Sequence, residues 1–282
     1  MGSGTFTASS FASYSVDNGR SYNFATNRID SDYNFVTKRL KEGMNPKLFD
    51  IRECVNSEEH PNTIPIILGL DVTGSMGLAC EETAKALGNI VAELYEEIPD
   101  VEFCIMGIGD LECDLAPVQM SQFESDVRIA KSIDDLYMEH GGGGNGYESY
   151  TIAWYMGLRH TKLDCYDKQS RKGIIITMGD EPLNPILHTS ELKKFIGDNV
   201  ESDIITKDLY NETLDKFDIY HISVDDRHSS YDYRKSKVDK SWEILGENYK
   251  VSTIDDLSRT IKDCIKASVL TVPNESDKEI SW

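Results

Sequence analysis

The chain has 282 residues, 39% of them hydrophobic and 28% charged, which suits one large α/β domain or two small ones and argues against wholesale disorder. Its formal net charge is -20, and residues 1–62 hold seven Lys/Arg against eight Asp/Glu, so the acidic excess lies in the remainder. Such a surface repels phosphate backbones and is not drawn to an anionic membrane, so neither nucleic acid nor membrane is expected as a partner.

Residues 1–45 alternate Ser and Thr with small and aromatic residues, and no long helical stripe appears. The series Phe6, Phe11, Tyr14, Tyr22, Phe24, Tyr33 and Phe35 is too aromatic for a free linker. It is expected to lie against a surface, either the protein's own or a partner's. Residues 1–20 lack a basic start followed by an apolar run, and no stretch approaches the ~20 apolar residues that span a bilayer. The six cysteines form no Cys-x-x-Cys pair, which predicts a reduced, cytoplasmic compartment without a disulfide frame.

Ile64–Leu70 reads as a buried strand. Glu81–Glu97 carries Leu87, Ile90, Val91 and Leu94 at helical spacing, and Pro99 stops it. Val101–Ile108 is a second apolar strand, and Ala116–Phe123 a weaker one at an edge. A helix with Val127, Ala130, Ile133 and Leu136 follows, and the run Gly141 to Gly144 opens another over about Tyr147–His160. Ile174–Thr177 is a third strong strand, and Ser190–Ile196 and Lys207–Phe217 read as helices. Ile219–Val224 is a strand, Tyr231–Leu245 a polar helix ending at Gly246, and Tyr249–Thr253 a last short strand. A closing helix carries Leu257, Ile261, Ile265 and Val269. Strands alternating with helices predict an α/β fold whose mostly parallel sheet is covered on both faces.

Chemistry concentrates at strand ends. Asp71-Val72-Thr73-Gly74-Ser75 closes the first strand with one carboxylate and two hydroxyls, oxygen ligands that suit a hard divalent cation. Asp110 follows the second strand across Gly109, and Asp180 follows Ile174–Thr177. In parallel sheets ligands sit beyond the carboxyl ends of the strands, so these acids are predicted to share one rim. Read singly, Asp110 and Asp114 are equally well solvated loop acids, and the glycine run a hinge. The six histidines show no paired metal spacing and read as structural or surface residues.

At these residues the chain resembles the von Willebrand factor A (VWA) domain family, in particular its stand-alone bacterial and phage-type members. The family's Asp-x-Ser-x-Ser motif stands here as Asp71-Val72-Thr73-Gly74-Ser75. Its Gly-Gly-Thr loop is similar to Gly143-Gly144-Asn145-Gly146-Tyr147-Glu148, with Asn145 where the Thr would be and Glu148 as the competing ligand. Its third acid corresponds to Asp180, with Glu181 as competitor. The resemblance implies a Rossmann-like, doubly wound, six-stranded sheet over residues 62–270. Residues 1–61 would then be an N-terminal extension on the domain or a partner, and residues 271–282 a polar tail.

It also implies a metal-ion-dependent adhesion site in which Asp71, Thr73, Ser75, Asn145, Glu148 and Asp180 hold Mg²⁺, with Asp110 and Glu181 behind them. Mn²⁺ or Ca²⁺ would substitute. Few carboxylates leave such an ion under-neutralised, ready to take an Asp or Glu from a partner protein. By resemblance that partner belongs to an assembly such as one containing an ATPase. Two readings stand beside this non-catalytic one. A Mg²⁺-dependent phosphatase of the haloacid-dehalogenase type would use Asp71 as nucleophile, but Thr73 stands where its acid would be. A structural assembly protein would use the N-terminus as an arm.

Overall fold

A computed structural model describes residues 4–139, 145–224 and 232–270. The tail 271–282 and the run Gly141 to Gly144 lie outside these residues. Six strands form the main sheet: β1 (Ile64–Asp71), β2 (Val101–Ile108), β3 (Val118–Met120), β4 (Gly173–Gly179), β5 (Phe217–Val224) and β6 (Tyr249–Ser252). Their spatial order is β6-β5-β4-β1-β2-β3. All neighbours run parallel except β3, which lies antiparallel on β2 at the edge. In the central register Leu68 stands opposite Ile105 on one side and Ile176 on the other.

The sheet is buried on both faces because successive side chains of each strand point opposite ways. Ile66, Leu68 and Leu70 face one core, while Ile67 faces the other. The first core is closed by α2 (Gly77–Glu97), α3 (Arg128–Asp134) and α9 (Leu257–Leu270), through residues such as Leu87, Ile90, Ile133, Ile261 and Ile265. The second is closed by α4 (Thr151–Arg159), α6 (Thr189–Phe195) and α7 (Thr206–Thr213), through Trp154, Leu192 and Leu209. Each fully buried aliphatic side chain contributes about 1.5–3 kcal/mol, so the two-sided core dominates the stability of this scaffold.

The N-terminal stretch belongs to the first core. Phe6, Phe11, Ile29, Tyr33 and Met44 are buried in the same cluster as α2. Residues Ala8–Asp17 form a helix, α1, that the sequence reading did not anticipate. Thr7 caps it: its hydroxyl accepts from Ser10 N–H at 3.0 Å, and Ser10 answers through its own hydroxyl. Phe11 then lies over Gly88 of α2, where a Cβ would come within 2.5 Å of the ring. A single carboxylate, Asp134, gathers the strap. Arg20 grips it through both terminal nitrogens, at 2.7 and 3.1 Å, and the Tyr14 and Tyr33 hydroxyls donate to it.

Two further departures are local. Thr161–Leu163 pairs in parallel with Arg52–Cys54 and leads into a short helix, α5 (Asp164–Gln169), neither of which periodicity signals over so few residues. The polar helix near residue 240 is α8 (Asp232–Ser241), followed by a separate 3-10 stretch, Glu243–Asn248, in which Gly246 adopts φ +54°. All six cysteines are free thiols, and all but Cys113 are buried. Among the described residues no helix is long and apolar enough to cross a membrane.

Candidate functional site at the carboxyl rim of the sheet

Asp71 ends β1 and is fully buried. The chain turns there because its carboxylate replaces lost strand partners. Thr73 donates to Oδ1 through its N–H at 2.9 Å and its hydroxyl at 2.6 Å. The hydroxyl's one proton goes to Asp71, which leaves its lone pairs available to a ligand. Oδ2 accepts from the Tyr150 hydroxyl at 2.7 Å. Burial pushes the Asp71 carboxyl up to about 7 and the charge of Asp180 adds to the rise, while the Thr73 and Tyr150 hydrogen bonds oppose it.

Tyr150 stands just before α4 and had no signal in the sequence beyond its place at a helix start. Its hydroxyl occupies the space a side chain on Gly179 would fill: a Cβ there would fall 1.8 Å from it. The Glu181 N–H also points at this hydroxyl, at 3.4 Å, and the Glu181 carbonyl accepts from Trp242 Nε1 at 3.3 Å. The ends of β1 and β4 are thus joined through one phenol. Behind it, His221 stacks flat on Trp242 with ring centres 3.5 Å apart, and its Nδ1 meets the Thr177 hydroxyl at 2.8 Å. Burial holds this imidazole well below its ordinary range, so it is a neutral core residue.

The loop after β2 supplies more acid. Asp110 is fully buried; Oδ1 accepts from Glu112 N–H at 2.9 Å, whereas Oδ2 has no hydrogen-bond partner among the described residues. Asp114 Oδ2 accepts from Asp110 N–H at 2.7 Å, and Glu139 Oε1 accepts from the N–H groups of Leu115 and Ala116. Burial raises the Asp114 carboxyl, and the Glu139 and Asp110 charges add to it. Glu139 connects this loop to the first, since its N–H donates to the Val72 carbonyl at 2.8 Å.

Glu148 stands between the two. Its backbone bridges to Leu183 beyond β4, and its carboxylate is buried with Oε2 unpartnered among the described residues. Burial raises it to about 10, helped by the charges of Asp71, Asp114, Asp110 and Glu181. Asn145, the alternative in this loop, accepts weakly on Oδ1 from Tyr147 N–H at 3.5 Å, and its Nδ2 has no partner among the described residues.

Asp71, Thr73, Glu148, Asp110 and Asp180 therefore meet at one rim, as do the backbone groups of Glu181. Ser75 sits on the same loop in the turn Gly74–Met76, but its side chain lies outside the described atoms. None of Asp71, Asp110, Asp114, Glu139 and Glu148 forms an ion pair with a described Lys or Arg. Among the described residues no group of three or more His, Cys, Asp or Glu is placed to hold a metal ion. An open cleft beside the Asp110 loop is lined by Leu111, Glu112, His188, Ser190, Glu191 and Lys194.

No protein-family model matches the chain, and no curated protein does. Among solved structures it is similar to the pilus adhesin SpaC from Lactobacillus rhamnosus GG in its open conformation, at 14% identity and a TM-score of 0.49 over 76% of this chain. A second form of the same adhesin aligns at 14% identity and 0.48, again over 76% of this chain. The match spans 31% and 32% of those two adhesin chains, about a third of their length.

Proposed function

We propose that this chain is a VWA-type module, doubly wound in the Rossmann manner, that binds a divalent cation at the carboxyl rim of its sheet. Through that ion it captures an Asp or Glu side chain of a partner protein. The observation that carries this reading is the state of Asp71: a fully buried carboxylate to which, among the described residues, only neutral hydroxyl and N–H groups donate, with the charge of Asp180 within reach. A buried charge without a counter-charge is costly, and a cation removes that cost.

The donor set fits a small, hard ion. Asp71, the Thr73 and Ser75 hydroxyls and Asp180 would hold it, and Mg²⁺ accepts such oxygens together with water. In the third loop Glu148 is the better ligand, because it is a buried carboxylate whose Oε2 has no partner among the described residues, while Asn145 offers a neutral amide oxygen. The ion would supply a positive centre on a chain of net charge -20, so that a partner carboxylate is attracted where the bare protein repels it. Five buried free thiols support a reduced, cytoplasmic setting. The arm reading is weakened by Phe6, Phe11 and Tyr33, which are spent in the chain's own core.

Titration calorimetry with MgCl₂ on the chelator-treated chain tests this directly. The wild type takes up Mg²⁺ and Asp71→Ala does not. A peptide array pairing Asp or Glu with Asn or Gln versions then reports capture, with binding confined to the acidic member and lost in EDTA. Equal Mg²⁺ uptake by Asp71→Ala, or capture that ignores EDTA, defeats the reading.

A further inference from the structure

We propose that the open cleft between the loop after β2 and the start of α6 receives an arginine side chain of the partner segment whose acid the ion captures. The neighbouring acid rests on that capture reading; the arginine pocket stands on its own geometry. The cleft has a volume of about 500 Å³ and is lined by Leu111 and Glu112 of the loop and by His188, Ser190, Glu191 and Lys194 of the α6 turn. Such a volume admits a long side chain together with water. The loop wall is fastened: Leu111 N–H donates to the Ser149 hydroxyl at 3.1 Å, and Glu112 accepts from the Tyr147 hydroxyl at 2.6 Å. These bonds reach the residues on either side of Glu148, so the cleft borders the rim.

The charges of the cleft select its occupant. Both cations in its wall are already committed. His188 Nδ1 lies 2.9 Å from Asp203 Oδ2, the other oxygen of that carboxylate accepts from Thr189 N–H at 2.8 Å, and Lys194 Nζ stands 4.3 Å from the ring centre of Phe195. The two acids are not committed in this way: among the described residues neither Glu112 nor Glu191 pairs with a Lys or Arg. They come from different elements yet act on one another. Burial raises the Glu191 carboxyl, His188 offsets part of the rise, and the charges of Glu112 and Asp110 add to it. Two carboxylates on one open space hold a cation best when it can touch both. A planar guanidinium fork does so, where a point-like ammonium does not. Its apolar stem then lies along Leu111.

Long-range electrostatics favour the same partner. The chain carries a net charge of -20, so a segment that offers only an acid is repelled until it reaches the ion. An arginine beside the acid cancels that repulsion and steers the segment to the rim. The partner motif is therefore an acid and an arginine in one short stretch, rather than an acid alone.

The probes are N-acetylarginine amide and short Gly/Ser peptides with one central Asp, in which Arg is walked along the remaining positions. N-acetylarginine amide should shift the backbone amide resonances of Leu111 and Ser190 in the labelled full chain, saturably and in EDTA as in Mg²⁺. The shifts should vanish in Glu112→Gln/Glu191→Gln, which keeps an acceptor for Tyr147; circular dichroism melts establish that it is folded. In Mg²⁺, Arg at one spacing from the Asp should tighten binding about fivefold over the Arg-free peptide, the upper end for an exposed ion pair. The double variant should bind both peptides alike. Glu58→Gln/Glu59→Gln removes the same charge from the exposed loop before β1, at the far end of the sheet, and should keep the gain. No shifts, or shifts unchanged in the folded double variant, overturn the cleft and leave the capture reading untouched. An equal gain at every spacing is steering by net charge and overturns it too, as does no gain at any spacing. Shifts without Mg²⁺-dependent capture of any acidic peptide defeat the capture reading and leave the arginine pocket standing.

Discussion

Asp134 and Glu148 are both acids set into the same protein, and they are treated in opposite ways. Asp134 receives a two-pronged Arg20 and two tyrosine hydroxyls, a full complement of donors with its charge cancelled. Glu148 receives nothing on Oε2 from the described residues, and burial, helped by the charges of further acids, raises it to about 10. The first arrangement fastens the N-terminal strap to α3 and is complete without any partner. The second is incomplete as it stands, and incompleteness at the carboxyl rim of a parallel sheet marks a place where something binds.

Breaking the complete site should have the largest effect. Asp134→Ala leaves Arg20, whose side chain is 11% exposed, without its partner, and deprives two tyrosine hydroxyls of their acceptor. Removing one member of a buried ion pair costs about 3–5 kcal/mol, which urea unfolding will report as a lowered midpoint. Mg²⁺ uptake by the folded fraction should stay unchanged, because the strap and the rim are separate. A variant that unfolds no more easily than wild type would show that the strap is not fastened at this point.

A matched pair of glycines sharpens the comparison at a smaller cost. At Gly88 an added Cβ meets Phe11 of the strap at 2.5 Å, and at Gly179 it meets the Tyr150 hydroxyl at 1.8 Å. Either alanine overpacks its site and should destabilise the chain by about 1–3 kcal/mol. Only Gly179→Ala displaces the phenol that holds Asp71 Oδ2, so only it should also weaken Mg²⁺ binding in calorimetry. Equal Mg²⁺ affinity in both variants would remove Tyr150 from the site.

The contrast between the two regions also explains what the sequence disclosed. The strands β1, β2, β4 and β5 were legible because two-sided burial writes them as unbroken apolar runs, and α2 and α9 because one buried face repeats at helical spacing. The strand-end placement of Asp71, Asp110 and Asp180 was legible because each follows such a run within three residues. The helix α1 was not, since its serines are poor helix formers and its buried face is only Phe11, Ala12 and Ser15. The role of Asp134 and of Tyr150 was equally hidden: Arg20 lies 114 residues from Asp134 and Asp71 lies 79 from Tyr150, and no local spacing encodes such contacts. Side chains that finish a site across the fold are visible only once the chain is folded.

The smallest expected effect concerns the proton that stands in for a cation. In chelator, the native state holds Glu148 protonated up to about pH 10 and Asp71 up to about pH 7. The unfolded chain releases both protons at the ordinary carboxyl values, roughly pH 4. Between those limits the native state binds more protons than the unfolded state, so raising the pH favours unfolding. Thermal midpoints of the metal-free protein should therefore fall as pH climbs from 5, with the Asp71 contribution spent near 7 and that of Glu148 continuing toward 10. Glu148→Gln deletes the longer component: the decline should become shallower, and the variant should be more stable than wild type at pH 8 by about 1 kcal/mol, the low end of what replacing buried charge gains. Added Mg²⁺ should flatten the wild-type curve, because the ion then occupies the role of the missing proton. A wild-type midpoint that rises with pH in chelator would mean that Glu148 is already compensated, and with it the difference between this carboxylate and Asp134 would vanish.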